Sequence, residues 1–178
     1  MSSTGIFWIR EDFRIENNPA LSFATQSHDS VIALYIYNNN DFDHKREAQK
    51  WWVFKSLETL KKDLSDYKIN LEILRGDELE IFSKLNKKDN ISIYWNKIYE
   101  PDVISKGKKI RDLFIKNEIN YKYFKGNILN EFQEVKKNDG TPFKVFTPFW
   151  RNAEQVYLNQ PPSKNYIVKK KNKKNFIF

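Results

Sequence analysis

IFWIREDFRIENNPAL, residues 6–21, opens at the apolar density of a buried strand, turns through the charged run Arg10-Glu11-Asp12-Phe13-Arg14, and reaches an Asn-Pro step able to start a helix. Such a segment delivers two guanidiniums and a carboxylate to the edge of a sheet, where loops carry function. Strand and helix signals then alternate. Val31–Tyr37 (VIALYIY), like Gly5–Ile9, is a continuous apolar run of strand length, as expected when both faces of a parallel sheet are covered.

Between these runs, Pro19–Gln26 reads as a short helix with Pro in its first turn. From about Arg46 to Tyr67, the residues Trp51, Trp52, Phe54, Leu57, Leu60 and Leu64 recur at helical spacing. Leu71–Leu74 is a strand, Asp77 can cap a helix from Glu78 to about Leu85, and Ile91–Trp95 is a fourth strand. A helix from about Asp102 to Asn117 and a strand at Tyr121–Phe124 complete the set. The pattern predicts a Rossmann-like α/β fold: a doubly wound, five-stranded parallel sheet of order 3-2-1-4-5 with helices on both faces. After Gly126 the alternation stops, and the Pro-containing run from Thr141 to Pro162 reads as an ordered extension or linker, with Phe143, Val145, Phe146, Phe149 and Trp150 packed on the domain.

The 178 residues hold no cysteine and two histidines, His28 and His44, which argues against a disulfide framework, a thiolate metal site or a zinc ligand set. No apolar run reaches the length of a membrane span and no signal peptide is evident, so the expected compartment is the cytoplasm. The net charge is +8, but residues 163–178 carry six lysines and no acid, and without them it falls to +2. That segment reads as a solvated, mobile tail, because blocks of like charge usually stay unfolded.

Ligands of doubly wound sheets sit outside the carboxyl ends of the strands, at the switch in strand order. For order 3-2-1-4-5 that crevice lies between the first and fourth strands. Arg10, Asp12, Asn96, Glu100 and Asp102 would supply its polar groups, and Tyr35 and Tyr37 its aromatic walls. Trp51 and Trp52, about 100° apart on a helix, cannot both face the core, and Trp51 is expected at the crevice. The plainer reading is that Arg10, Asp12 and Arg14 pair with Glu100 or with each other and merely fix the two loops. The chain shows no Walker loop, no GxGxxG after the first strand, no nucleophile elbow and no histidine-centred triad, so no catalytic residue is assigned.

Arg10-Glu11-Asp12-Phe13-Arg14 followed by Asn18-Pro19-Ala20-Leu21 resembles the N-terminal signature of the DNA photolyase and cryptochrome family. Three further runs are similar to that family: AQKWWVFKSL at 48–57, YWNKIYEP at 94–101, and GNILNEFQEV at 126–135 leading into GTPFKVFTPFWR at 140–151. The resemblance implies that residues 4–134 form the family's N-terminal α/β domain, that 135–162 begin the interdomain linker, and that 163–178 are tail. In the family this domain holds an antenna chromophore (FMN, a deazaflavin or a reduced folate), while FAD and the damaged DNA are engaged by a helical C-terminal domain. That helical domain is expected as the partner in cis and is not encoded in these residues. A His near His44 contributes to folate binding in some members, in which an Asn-Glu pair follows the YE of the fourth-strand loop. Here Asp102-Val103 stands in that place. A standalone nucleotide- or flavin-binding module and a structural domain without chromophore are the alternatives.

Overall fold

The computed structural model describes residues 3–38, 46–85, 90–128, 130–158 and 166–171. His44 lies outside the described residues. Contacts divide the chain into two units, Met1–Gly126 with Tyr166–Phe178, and Asn127–Asn165.

The first unit runs β1 (Thr4–Ile9), α1 (Pro19–Ser27), β2 (Ser30–Tyr37), α2 (Glu47–Asp66), β3 (Asn70–Arg75), α3 (Glu78–Ser83), β4 (Ile91–Asn96), α4 (Pro101–Lys116) and β5 (Asn120–Phe124). Its sheet has the order β3-β2-β1-β4-β5, parallel at every pairing, as the alternation of apolar runs predicts. Phe7 sits in register with Ala33 on one side and Tyr94 on the other.

Strand alternation sends successive side chains to opposite faces. Phe7, Ile9, Ala33, Tyr35 and Tyr94 pack with Leu21 and Ala24 of α1 and with Val53, Leu57, Leu60 and Leu64 of α2. Ile6, Trp8, Leu34, Ile36, Ile93 and Trp95 pack with Ile81 and Phe82 of α3 and with Ile110 and Phe114 of α4. Both layers are dry: Phe82, Phe114, Leu34 and Leu64 are wholly buried, each contributing about 2–3 kcal/mol by removal from water. Outside these layers the edge strands β3 and β5 are only partly covered.

Local chemistry fixes where the helices begin. Asn18 caps α1 by accepting from Leu21 N at 3.0 Å, with Pro19 in the first turn. Asp77 accepts from Leu79 N at 2.8 Å and from Glu80 N at 3.3 Å at the start of α3.

The lysine-rich tail departs from expectation over residues 166–171. Ser22 Oγ donates to Ile167 O at 2.8 Å, Lys169 N donates to Thr25 Oγ1 at 3.2 Å, and Lys171 N donates to Tyr67 O at 2.9 Å. Val168 packs on the α1/α2 layer. The charge pattern conceals this strap because backbone groups and one valine make the contacts that hold it, with the charge of Asp29 favouring the Lys171 ammonium.

The second unit carries α5 (Phe146–Leu158), a helix within the run that the sequence marks as an ordered extension or linker. Pro148 masked it, yet a proline in a first turn removes an N–H that has no helical partner. Within this unit Phe143 and Phe149 are half-buried and meet each other at 6.3 Å. Val145 is 63%, Phe146 71% and Trp150 43% exposed. Phe146 stacks on Trp150 at 6.2 Å, and Trp150 meets Tyr157 at 6.1 Å.

Candidate functional site: a cleft at the carboxyl ends of β1, β2 and β4

A cleft of about 900 Å³ opens beyond the carboxyl ends of β1, β2 and β4. Trp8, Ile9 and Arg10 enter from β1 and its loop, Tyr35 and Ile36 from β2, Gln49, Trp52 and Val53 from α2, and Glu100, Asp102, Val103 and Lys106 from the start of α4. One wall is aromatic: Phe13 lies 5.8 Å from Tyr35 and 5.8 Å, edge to face, from Trp52. The opposite wall is charged. Lys106 reaches the carboxylates of Glu78, with which it pairs closely, and Asp77 at 3.6 Å. Arg10 lays its guanidinium 4.6 Å from the centre of the Trp8 ring, a cation–π contact that holds it at the mouth.

Burial, aided by the negative charge of Glu11, pushes the Tyr35 phenol up to about 12 from 10.0. It is therefore neutral at any physiological pH and able both to donate and to accept. Glu100 is the N-cap residue of α4 and Asp102 lies in its first turn, where the helix dipole favours their negative charge.

The eight residues singled out from sequence divide into three groups. Arg10, Tyr35, Glu100 and Asp102 line the cleft. Asp12 and Asn96 do not line it; they hold the loops beside it. Asn96 is 6% exposed and makes three hydrogen bonds: Nδ2 donates to Asp12 Oδ2 at 2.7 Å and to Asn18 Oδ1 at 3.0 Å, and Oδ1 accepts from Ala20 N at 3.2 Å. Asp12 also pairs with Arg14 at 2.9 Å. Its carboxyl is raised above 3.8 because burial outweighs the opposing effects of Arg14 and Asn96. For these residues the plainer loop-fixing account describes the geometry.

Tyr37 and Trp51 fall outside the cleft. Tyr37 packs toward Phe54 at 6.5 Å, and Trp51 is 64% exposed. The reason lies in helical rotation. Val53 is buried, and Trp51, two residues away, is turned about 200° from it, whereas Trp52 is turned about 100° and reaches the cleft edge. Trp8, Phe13, Trp52, Glu78 and Lys106 are among the lining residues that the sequence did not single out. Lys106 was discoverable, since it stands four residues after Asp102 on the same helix face. No histidine, serine or cysteine is among the described lining residues, and the polar groups of the lining are carboxylates, amides, the Tyr35 phenol, Arg10 and Lys106.

The family model for DNA photolyase matches residues 5–166. A deoxyribodipyrimidine photo-lyase of Agrobacterium fabrum is 29% identical over 150 residues, covering 84% of this chain and 31% of the relative, and cryptochrome-1 of Arabidopsis thaliana is 30% identical over 152 residues, covering 83% and 22%. The chain thus spans about a third or less of the length of these relatives. Among solved structures, an archaeal photolyase from Sulfolobus tokodaii, described as holding two FAD molecules with the implication of a novel light-harvesting cofactor, aligns with a TM-score of 0.67 at 25% identity over 86% of this chain and 35% of its own. A bacterial class III photolyase from Agrobacterium tumefaciens shares the fold with a TM-score of 0.78 over 96% of this chain and 35% of its own, at 24% identity. Among the described residues no helix is long and apolar enough to cross a membrane. With the family model matching residues 5–166, most of its length, the chain belongs to the DNA photolyase family.

Proposed function

We propose that this domain holds a planar antenna chromophore in the cleft beyond β1, β2 and β4 and passes its excitation energy to FAD in a helical domain of the full-length protein. The observation that carries the reading is the cleft itself: about 900 Å³, with Phe13, Tyr35 and Trp52 forming one wall and Arg10, Glu100, Asp102 and Lys106 the other. Excitation transfer requires no acid, base or nucleophile. It requires an absorber held rigidly in one place, which side chains fixed to a sheet edge provide.

The lining fits such a molecule by the chemistry of its groups. Aromatic faces accept a flat heterocycle, Arg10 offers positive charge to an anionic tail, and Glu100 and Asp102 offer acceptors to ring N–H groups. FMN, a deazaflavin and a reduced folate all have this character. Val103 lines the cleft where the resemblance would place the Glu of a folate site, so a folate site of that design is not expected, while a differently built folate pocket or a flavin pocket fits the same groups. DNA would be engaged through the helical domain and not through this one.

The absorption spectrum of the protein as purified tests the reading. A near-ultraviolet or blue band that travels with the protein through gel filtration, and is lost in Arg10→Ala, is expected. A colourless protein that takes up none of the three pigments would leave a structural domain as the better account.

A further inference from the structure

Trp8 is 2% exposed and forms part of the cleft lining. On its far side the Trp95 ring lies 5.6 Å away, and Tyr123 lies 5.5 Å from Trp95. Trp95 is 3% exposed, whereas Tyr123, on the edge strand β5, is 39% exposed. Three oxidisable rings thus run in near contact from the cleft, through the interior, to water. Phe82 and Phe114 of the same layer are far harder to oxidise, whereas Tyr121, stacked 5.7 Å from Trp95 and less exposed than Tyr123, is the competing exit.

The end of the chain has a character of its own. Lys97 and Arg111 stand 5.3 Å and 5.5 Å from the centre of the Tyr123 ring. Cations there oppose a positively charged ring but not a neutral one, so an electron can leave Tyr123 readily only if its phenolic proton leaves as well. Water at the exposed edge is available to take that proton.

From this arrangement we infer that Trp8, Trp95 and Tyr123 form an electron relay that lets a photoexcited flavin in the cleft be reduced from solvent. The relay rests on reading the cleft as a flavin site. Trp8 gives one electron to the excited flavin and becomes a radical cation. Trp95 refills Trp8, and Tyr123 refills Trp95 while releasing its proton to water, which leaves a neutral tyrosyl radical. A thiol then donates a hydrogen atom to restore Tyr123, and two thiyl radicals combine as a disulfide. In sum, the flavin gains one electron and the thiol is oxidised. Arg10 moderates the first step, since its guanidinium over Trp8 disfavours positive charge on that ring. Energy transfer therefore prevails when an acceptor is present, and photoreduction becomes visible when none is.

The absence of cysteine permits a test that does not depend on flavin binding. Gln49→Cys, an exposed residue of the cleft lining, gives a single attachment point for a ruthenium polypyridyl photo-oxidant. Flash oxidation is expected to produce a tyrosyl radical by electron paramagnetic resonance, which disappears in Tyr123→Phe, persists in Tyr121→Phe, and gives way to a tryptophan radical in Trp95→Phe. A radical that stays on Trp52 or Tyr35, or a signal indifferent to Tyr123→Phe, overturns the relay. In parallel, FMN-loaded protein under blue light with thiol should accumulate reduced flavin more slowly in Trp95→Phe and Tyr123→Phe, at unchanged FMN affinity. Failure of FMN to bind would count against the chromophore reading, while the tethered oxidant would still decide the relay.

Discussion

The side-chain amide of Asn96 donates to the Asp12 carboxylate at 2.7 Å, joining two loops 84 positions apart in the chain. The same amide reaches Asn18, the cap of α1, so the end of β4, the loop after β1 and the start of α1 are held by one buried side chain. These are the segments whose neighbours form the cleft mouth. Asn96→Ala leaves Asn18 Oδ1 short of one donor and Ala20 N without its acceptor, and should lower stability by about 3 kcal/mol in urea unfolding. Asn96→Asp should be at least as damaging, because it sets a carboxylate against that of Asp12. Wild-type stability in both variants would remove Asn96 from this role.

Gly126 makes a second constraint on the same end of the sheet. A Cβ there would lie 2.0 Å from Lys97 O, and the Gly126 N–H donates to the Tyr99 hydroxyl at 3.1 Å. Backbone cannot yield as a flexible side chain does. Gly126→Ala should cost about 2 kcal/mol by overpacking and shift the β4–α4 loop that carries Glu100, which calorimetry together with pigment affinity will show.

Tyr35 should titrate late. Its phenol is raised from 10.0 to about 12, so the folded state holds the proton more tightly than the unfolded chain. The stabilisation from this group is therefore complete below pH 10 and is lost as pH rises through about 12. Phenolate absorbance that is reduced by one group in Tyr35→Phe only at the alkaline end of the titration will verify the sign.

His28 behaves in the opposite sense. Burial, with the positive charge of Lys171 in the strap, lowers its pKa below 6.5, and its ring nitrogens meet Tyr94 Oη at 2.6 Å and Ser3 Oγ at 2.9 Å. The unfolded chain takes up this proton first, so the contribution is complete above pH 6.5 and declines as pH falls through the folded-state value. Lys171→Gln should move the histidine titration toward 6.5 by NMR and reduce the acid sensitivity of unfolding. An unmoved titration would mean that the strap does not act on His28 in solution.

The sheet was legible in the sequence because β1, β2 and β4 are buried on both faces and therefore read as unbroken apolar runs. The crevice rule then located the cleft: Arg10 is the first side chain beyond β1, Tyr35 stands near the end of β2, and Glu100 and Asp102 lie where the loop after β4 enters α4. Less was legible where one residue type serves two ends. Asp12 and Asn96 have the polarity of ligand contacts but use it on each other and on Asn18. Trp51 and Trp52 differ only by rotation about a helix, which Val53 would have resolved. The strap at 166–171 gave no signal because backbone groups, which carry no sequence mark, make its hydrogen bonds.

The most direct measurement is a fluorescence titration of the purified, pigment-free protein with FMN, a deazaflavin and a reduced folate, repeated in Arg10→Ala, Glu100→Ala and Trp51→Ala. Saturable binding of at least one pigment, weakened by the first two substitutions and untouched by Trp51→Ala, is the predicted result. No binding of any pigment, or binding indifferent to both Arg10 and Glu100, would contradict the placement of a chromophore in this cleft.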